Sequence, residues 1–151
     1  MIALLQRVST AEVQVDGQPI GSIGGGLLAL IGVRRGDRLP QADRLLQRIL
    51  DYRVFPDTAG RMNLSLRQTG GGLLLVPQFT LAADTGRGNR ASFTPAAAPA
   101  EAEALFTYLL EGARAVHSPV ASGQFGAHMA VSLINDGPVT FWLEADHSPE
   151  A

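Results

Sequence analysis

Polar and apolar residues alternate from Ala11 to Val15, with Val13 and Val15 on one side and Glu12 and Gln14 on the other. Together with the apolar segment Ile2 to Val8, this predicts two opening strands of a meander, turned by Asp16-Gly17. A short piece from Ile20 to Ile23 leads into Gly24-Gly25-Gly26 and then Leu27 to Val33, an unbroken apolar run of the kind a strand buried on both faces shows. The phrase returns at Gly70-Gly71-Gly72 before Leu73-Leu74-Leu75-Val76, which predicts a second buried strand entered through a glycine loop.

The pattern changes period between those runs. Leu39, Ala42, Leu45, Leu46, Ile49 and Leu50 recur at helical spacing, with Arg44, Gln47 and Arg48 opposite. Asp37 is the expected cap, and Pro40 fits the first turn. From Tyr52 to Leu66 the chain reads as an extended piece, a turn over Pro56-Asp57 and Gly60, and then Met62-Asn63-Leu64. A second helix is predicted from near Pro99 to about Val116, with Glu101 and Glu103 in its first turn and Ala102, Leu105, Phe106, Leu109, Leu110 and Ala113 as its apolar stripe. Ser118-Pro119 ends it, and two strands, Met129 to Ile134 and Val139 to Glu144, flank a Gly-Pro corner. The fold class expected is mixed α/β: a largely antiparallel, curled, barrel-like sheet with two main helices on one side. A single domain over residues 1–146 and a flexible tail over 147–151 are expected.

Composition narrows the function classes. A chain of 151 residues, 46% hydrophobic and 17% charged, has the size of one domain with one core. No apolar run reaches the roughly 18 residues a membrane span needs, and Met1 to Arg7 lacks the pattern of a signal peptide, so a cytoplasmic protein is expected. The absence of cysteine removes disulfides, thiol nucleophiles and thiolate metal sites together. A net charge of -2 argues against broad nucleic-acid binding and leaves room for a local RNA contact. All 12 basic residues are arginine, a compositional bias that also suits forked phosphate contacts.

Familiar catalytic signatures are mostly missing. Neither glycine run is followed by Gly-Lys-Ser/Thr or by the spaced third glycine of a dinucleotide fingerprint. His117, His128 and His147 are far apart without clustered carboxylates, so no metal is expected, and no Gly-x-Ser-x-Gly elbow marks a serine nucleophile. Pro77-Gln78-Phe79-Thr80-Leu81 remains, at the end of the second buried strand, followed by the polar loop Asp84 to Arg90. Thr80 as a nucleophile needs a neighbouring base, and none is adjacent in sequence. The N–H groups of Phe79 and Thr80 could instead hold an oxyanion, and Gln78 and Thr80 could simply cap the strand end. Asn135-Asp136-Gly137-Pro138-Val139-Thr140 reads either as an ordinary tight turn or as a rigid corner presenting bare backbone polar atoms.

These two stretches together, with Gln6-Arg7-Val8, Met62-Asn63-Leu64, Ala82-Ala83-Asp84, Ser92-Phe93 and Val131-Ser132-Leu133, closely resemble the D-aminoacyl-tRNA deacylase family. The resemblance covers nearly the whole chain. It departs at Pro77, where the family usually has Ser and a sister family of relaxed chirality has Pro; Phe79 and Val139-Thr140 look like the D-specific type. The resemblance implies a homodimer in which the Gly137-Pro138 corner, cis in the family, enters the partner's active site and crowds out an L side chain. It implies hydrolysis of D-aminoacyl-tRNA, and of glycine mischarged on alanine tRNA, as translational proofreading. On this reading Gln78, Phe79 and Thr80 line the ester site. Gly137, Pro138, Arg7 and Met129 serve substrate binding and chiral selection, with Arg7 bracing the corner. Arg87 and Arg90 are candidates for the tRNA end, set against solvated loop charges. No cofactor, metal, membrane or DNA partner is expected. Two alternatives stay open, a non-catalytic tRNA-binding module and a threonine-nucleophile hydrolase of small esters.

Overall fold

The computed structural model describes residues 1–147. Its organising element is β1 (Ile2–Val15), a single strand of 14 residues where two were expected. Nothing between Val8 and Ala11 breaks an extended chain, and irregular pairing around Val8 takes up the bend. Asp16 and Gly17 both adopt positive φ (51° and 74°), the turn that matches strand twist, and return the chain as β2 (Gln18–Ile23) along Ala11 to Val15.

The opening is not a meander. β3 (Gly26–Gly32) passes β2 and pairs antiparallel with Ile2 to Val8, so β1 carries two neighbours in succession on one edge. β6 (Gly72–Pro77) lies parallel to β3 with Gly26 opposite Gly72. The repeated glycine phrase therefore marks two strands that enter the sheet side by side: a Cβ on Gly26 would stand 1.9 Å from the Gly72 carbonyl oxygen. β7 (Val120–Ser122) continues the sheet in parallel beyond β6. There it approaches β2 so closely that a Cβ on Gly21 would lie 2.7 Å from the Ser122 carbonyl oxygen, which leaves the mixed sheet nearly closed.

Alternation along β3 and β6 sorts the core. Leu27, Ala29, Ile31, Leu73 and Leu75 face the helices, whereas Leu28, Leu74 and Val76 point into the curl with Val8, Val13 and Ile23. α1 (Leu39–Asp51) packs Leu45 and Ile49 on the first of these faces, beside α3 (Pro99–Val116) with Leu105, Phe106 and Leu109. The short ribbon β4 (Phe55–Pro56) and β5 (Met62–Leu64) matches the expected turn region. A third helix, α2 (Leu66–Thr69), was not anticipated; it is a single turn closed by a Ser65–Gln68 capping box and ended by Gly70 in the left-handed conformation.

Two further sequence expectations need correction. Asp37 does not cap α1; the N-cap is Arg38, whose backbone N–H is taken by the Gln41 side chain. The Asp37 carboxylate is buried instead, accepting from the Arg34 N–H at 2.6 Å and pairing with the Met1 ammonium at 2.9 Å and with His147 at 2.6 Å. Beyond His147, the expected tail lies outside the described residues. Second, the closing segment is no pair of strands around a hairpin corner but one strand, β8 (Ala130–Glu144), antiparallel to β1 throughout. Among the described residues, no helix is long and apolar enough to cross a membrane.

Candidate active site

Where β6 ends, the Gln78 N–H donates to the Ile31 carbonyl at 2.7 Å, and the chain tightens into a 3-10 turn over Phe79–Ala82. Gly32 makes room for this turn, since a Cβ there would stand 2.9 Å from that of Leu81. The first N–H groups of a helical turn have no partner within it. Those of Phe79 and Thr80 meet no other acceptor among the described residues, so both are available to a ligand oxygen. The Gln78 side-chain amide donates to the Thr80 hydroxyl oxygen. No carboxylate or imidazole hydrogen-bonds to Thr80 among the described residues. Its oxygen is therefore occupied as an acceptor with no base at hand to remove its proton.

Beside this turn opens a cavity of about 440 Å³, lined by Gln78, Phe79, Ala102, Phe125, His128 and Met129 among others. Its walls are mostly apolar, with Gln78 and His128 as the polar side chains, which suits orientation of a substrate by a few groups in a weakly screening environment. Met129 is seated by Gly123: a Cβ at that position would lie 2.7 Å from the thioether sulfur.

The second cluster is the Gly-Pro corner. β8 pairs Asn135 with Val8 and Thr140 with Gln6, so the intervening residues 136–139 bulge out opposite Arg7. The Asn135 side chain closes the bulge, its oxygen accepting from the Val139 N–H at 2.8 Å and its amide donating to the Thr140 hydroxyl at 3.0 Å. Arg7 braces it from β1: Nε donates to the Asp136 carbonyl at 2.9 Å, and Nη1 ties the same side chain to the Val54 carbonyl at 2.8 Å. The Gly137–Pro138 peptide is cis, Gly137 has φ 143°, and both residues are exposed with Asp136.

The resemblance puts the corner in the partner's site, and within a single chain the two clusters stay apart. Arg7 pairs with Leu27 on β3, whereas Gln78 is tied to Ile31, and the four intervening steps span about 13 Å of strand. The corner contributes nothing to the cavity wall. Arg87 and Arg90 sit on an exposed loop closed by two backbone hydrogen bonds between Asp84 and Ser92, at 2.7 and 2.9 Å.

Several site residues escaped sequence reasoning. Ala102, Phe125 and His128 reach the cavity only through the packing of α3 and the β7–β8 connection, and no local pattern announces them. Asn135 carried a signal, since its side chain commonly closes local turns, but its two partners could not be named. Among the described residues there is no group of three or more His, Cys, Asp or Glu arranged to hold a metal.

Known proteins match this one over nearly all of its length. The profile of the D-Tyr-tRNA(Tyr) deacylase family matches residues 4–144. The D-aminoacyl-tRNA deacylase of Thioalkalivibrio sulfidiphilus is 72% identical over 144 residues, covering 95% of this chain and 97% of the relative. That of Alkalilimnicola ehrlichii is 68% identical over 145 residues, covering 96% and 97%. Among solved structures, the c-Myc DNA Unwinding Element Binding Protein superposes with a TM-score of 0.92 at 37% identity, covering 99% of this chain and all (100%) of that one. A probable eukaryotic D-amino acid tRNA deacylase, at 16% identity and a TM-score of 0.75 over 95% of this chain and 98% of its own, shares the fold. The chain, with its cavity at the end of β6 and its Gly-Pro bulge on β8, belongs to the D-Tyr-tRNA(Tyr) deacylase family.

Proposed function

We propose that this chain hydrolyses the ester of D-aminoacyl-tRNA, releasing the amino acid and the tRNA, and rejects L-aminoacyl-tRNA by shape. The observation that carries this reading is the exposed, side-chain-poor Gly137–Pro138 corner, held by Arg7 and Asn135 yet standing outside its own cavity. An exposed element of this kind suits a homodimer in which each corner closes the partner's cavity. Exclusion by a stiff wall discriminates where attraction to every possible side chain could not, because a misplaced group meets repulsion whatever its chemistry. Glycine carries no side chain to exclude, so glycine mischarged on alanine tRNA is a substrate on the same reading.

The chemistry asked of the protein is modest. An aminoacyl ester is activated, and the neighbouring ribose hydroxyl can orient the carbonyl or assist water, so positioning and oxyanion stabilisation supply the acceleration. The free N–H groups of Phe79 and Thr80 are the donors, and Gln78 holds the Thr80 hydroxyl in place. Pro77 supplies no N–H where the family usually has Ser, so the oxyanion donors are those after it. Hydrolysis of an ester of tRNA places the enzyme in translational proofreading and, with it, in the cytoplasm.

The test is to incubate D-tyrosyl-tRNA and L-tyrosyl-tRNA with the purified protein and follow release of the amino acid. The D ester is lost rapidly while the L ester decays at its spontaneous rate; equal, background-level loss of both would reject the reading. Saturable binding of uncharged tRNA without hydrolysis would favour a binding module instead.

A further inference from the structure

Phe79 and Phe93 are among the large apolar side chains left in solvent, 59% and 47% exposed, and their rings touch each other with centroids 5.3 Å apart. Phe79 also lines the cavity, so the pair stands on its rim. Phe93 is fixed there by its backbone: Ser92 exchanges two hydrogen bonds with Asp84, and the Phe93 carbonyl accepts from the Ala96 N–H at 3.0 Å. The same Asp84–Ser92 closure presents Arg87 and Arg90, two exposed guanidinium groups with no ion-pair partner among the described residues. An exposed aromatic surface beside unpaired cations is the combination that takes up unstacked bases while the cations meet the phosphates.

We propose that the Phe79–Phe93 pair is a stacking platform for the penultimate base of the tRNA 3′ end, and that Arg87 and Arg90 hold the phosphates leading to it. This rests on the reading of the cavity as the ester site. With the terminal adenosine and its ester at the cavity, the next nucleotide leaves across the rim, where the two rings lie. The penultimate base is the cytosine shared by every CCA end, so a stack upon it adds affinity common to all tRNAs. A single-stranded occupant also fits the charge of the chain, since net -2 disfavours a broad duplex footprint while one arginine-bearing loop serves a short tail.

The experiment compares D-tyrosyl-tRNA with D-tyrosyl-adenosine, which lacks the penultimate nucleotide, for the parent and for Phe93→Ala, Phe93→Leu and Phe93→Trp. The platform predicts that Phe93→Ala and Phe93→Leu lower kcat/KM for D-tyrosyl-tRNA by roughly fivefold to a hundredfold more than for D-tyrosyl-adenosine, mainly through KM. Phe93→Trp restores the difference. Equal losses on both substrates, or a change in sedimentation of Phe93→Ala relative to the parent, would overturn the proposal in favour of a packing role. A second measurement uses an uncharged RNA hairpin ending in single-stranded CCA with 2-aminopurine at the penultimate position. Quenching on binding the parent and its loss in Phe93→Ala support the platform; equal binding of a blunt hairpin refutes it. Should the parent cleave neither ester yet quench the probe, the catalytic reading fails while the platform stands.

Discussion

Arg7 and Asp136, 129 positions apart, are joined by a hydrogen bond of 2.9 Å from the guanidinium Nε to the backbone carbonyl. The carboxylate of Asp136 lies 3.6 Å away but is 61% exposed, so this ion pair contributes little and the main-chain bond does the bracing. Arg7→Gln therefore leaves the corner less well held and the Val54 carbonyl without its partner. The expected result is a loss of about 1–3 kcal/mol in urea unfolding, with a rise in L-tyrosyl-tRNA hydrolysis relative to the D ester.

Gly137 admits no side chain at its φ of 143°, because a Cβ would stand 2.6 Å from the Val139 methyl and 2.9 Å from its amide nitrogen. Gly137→Ala reshapes an exposed bulge and spares the core. The variant should fold, as judged by circular dichroism, while D-over-L discrimination falls by at least about tenfold, the equivalent of roughly 1.4 kcal/mol.

The Thr80 hydroxyl accepts from Gln78 and has no base beside it. Thr80→Ala should thus retain D-tyrosyl-tRNA hydrolysis within about tenfold of the parent, the scale of one lost neutral hydrogen bond. Abolished turnover, with an acyl-enzyme trapped on the parent, would identify a threonine nucleophile.

Glu144 closes β8 under the indole N–H of Trp142, at 2.7 Å, with Arg34 at 3.2 Å. The Trp142 hydrogen bond first, and Arg34 after it, hold its carboxyl below the usual glutamate value of 4.5. A pKa depressed on folding stabilises the fold above the unfolded value and loses that contribution as pH falls through the folded one. Thermal unfolding of the parent should lose stability as pH drops below about 4.5, and Glu144→Gln should flatten that slope while leaving the neutral-pH trend intact.

Periodic signals were legible wherever they ran long enough. The stripe from Ala102 to Ala113 placed α3 over Pro99 to Val116, and the apolar runs after each glycine phrase placed β3 and β6. α2 was missed because four residues hold too little of a helical period, although Ser65 and Gln68 already spelled its capping box. β8 was split in two because Asn-Asp-Gly-Pro is turn chemistry wherever it occurs; only the partner strand decides whether such a stretch reverses the chain or bulges from it. Gln78, Phe79 and Met129 line one cavity, but the walls from Ala102, Phe125 and His128 depend on tertiary packing. Asp37 shows the same limit, since its place before a helix suggested a cap while the buried Met1 ammonium claimed its carboxylate.

The cross-subunit wedge is tested most directly by mixing two defective chains. One carries Gly137→Ala and hydrolyses L-tyrosyl-tRNA; the other carries Ala102→Phe, which fills the cavity, and hydrolyses nothing. Refolded together with the second chain in excess, each intact cavity faces an intact corner. With the wedge lent across the subunit interface, L-tyrosyl-tRNA hydrolysis disappears while D-tyrosyl-tRNA hydrolysis persists. Unchanged L-ester hydrolysis per Gly137→Ala chain in the mixed population would contradict it.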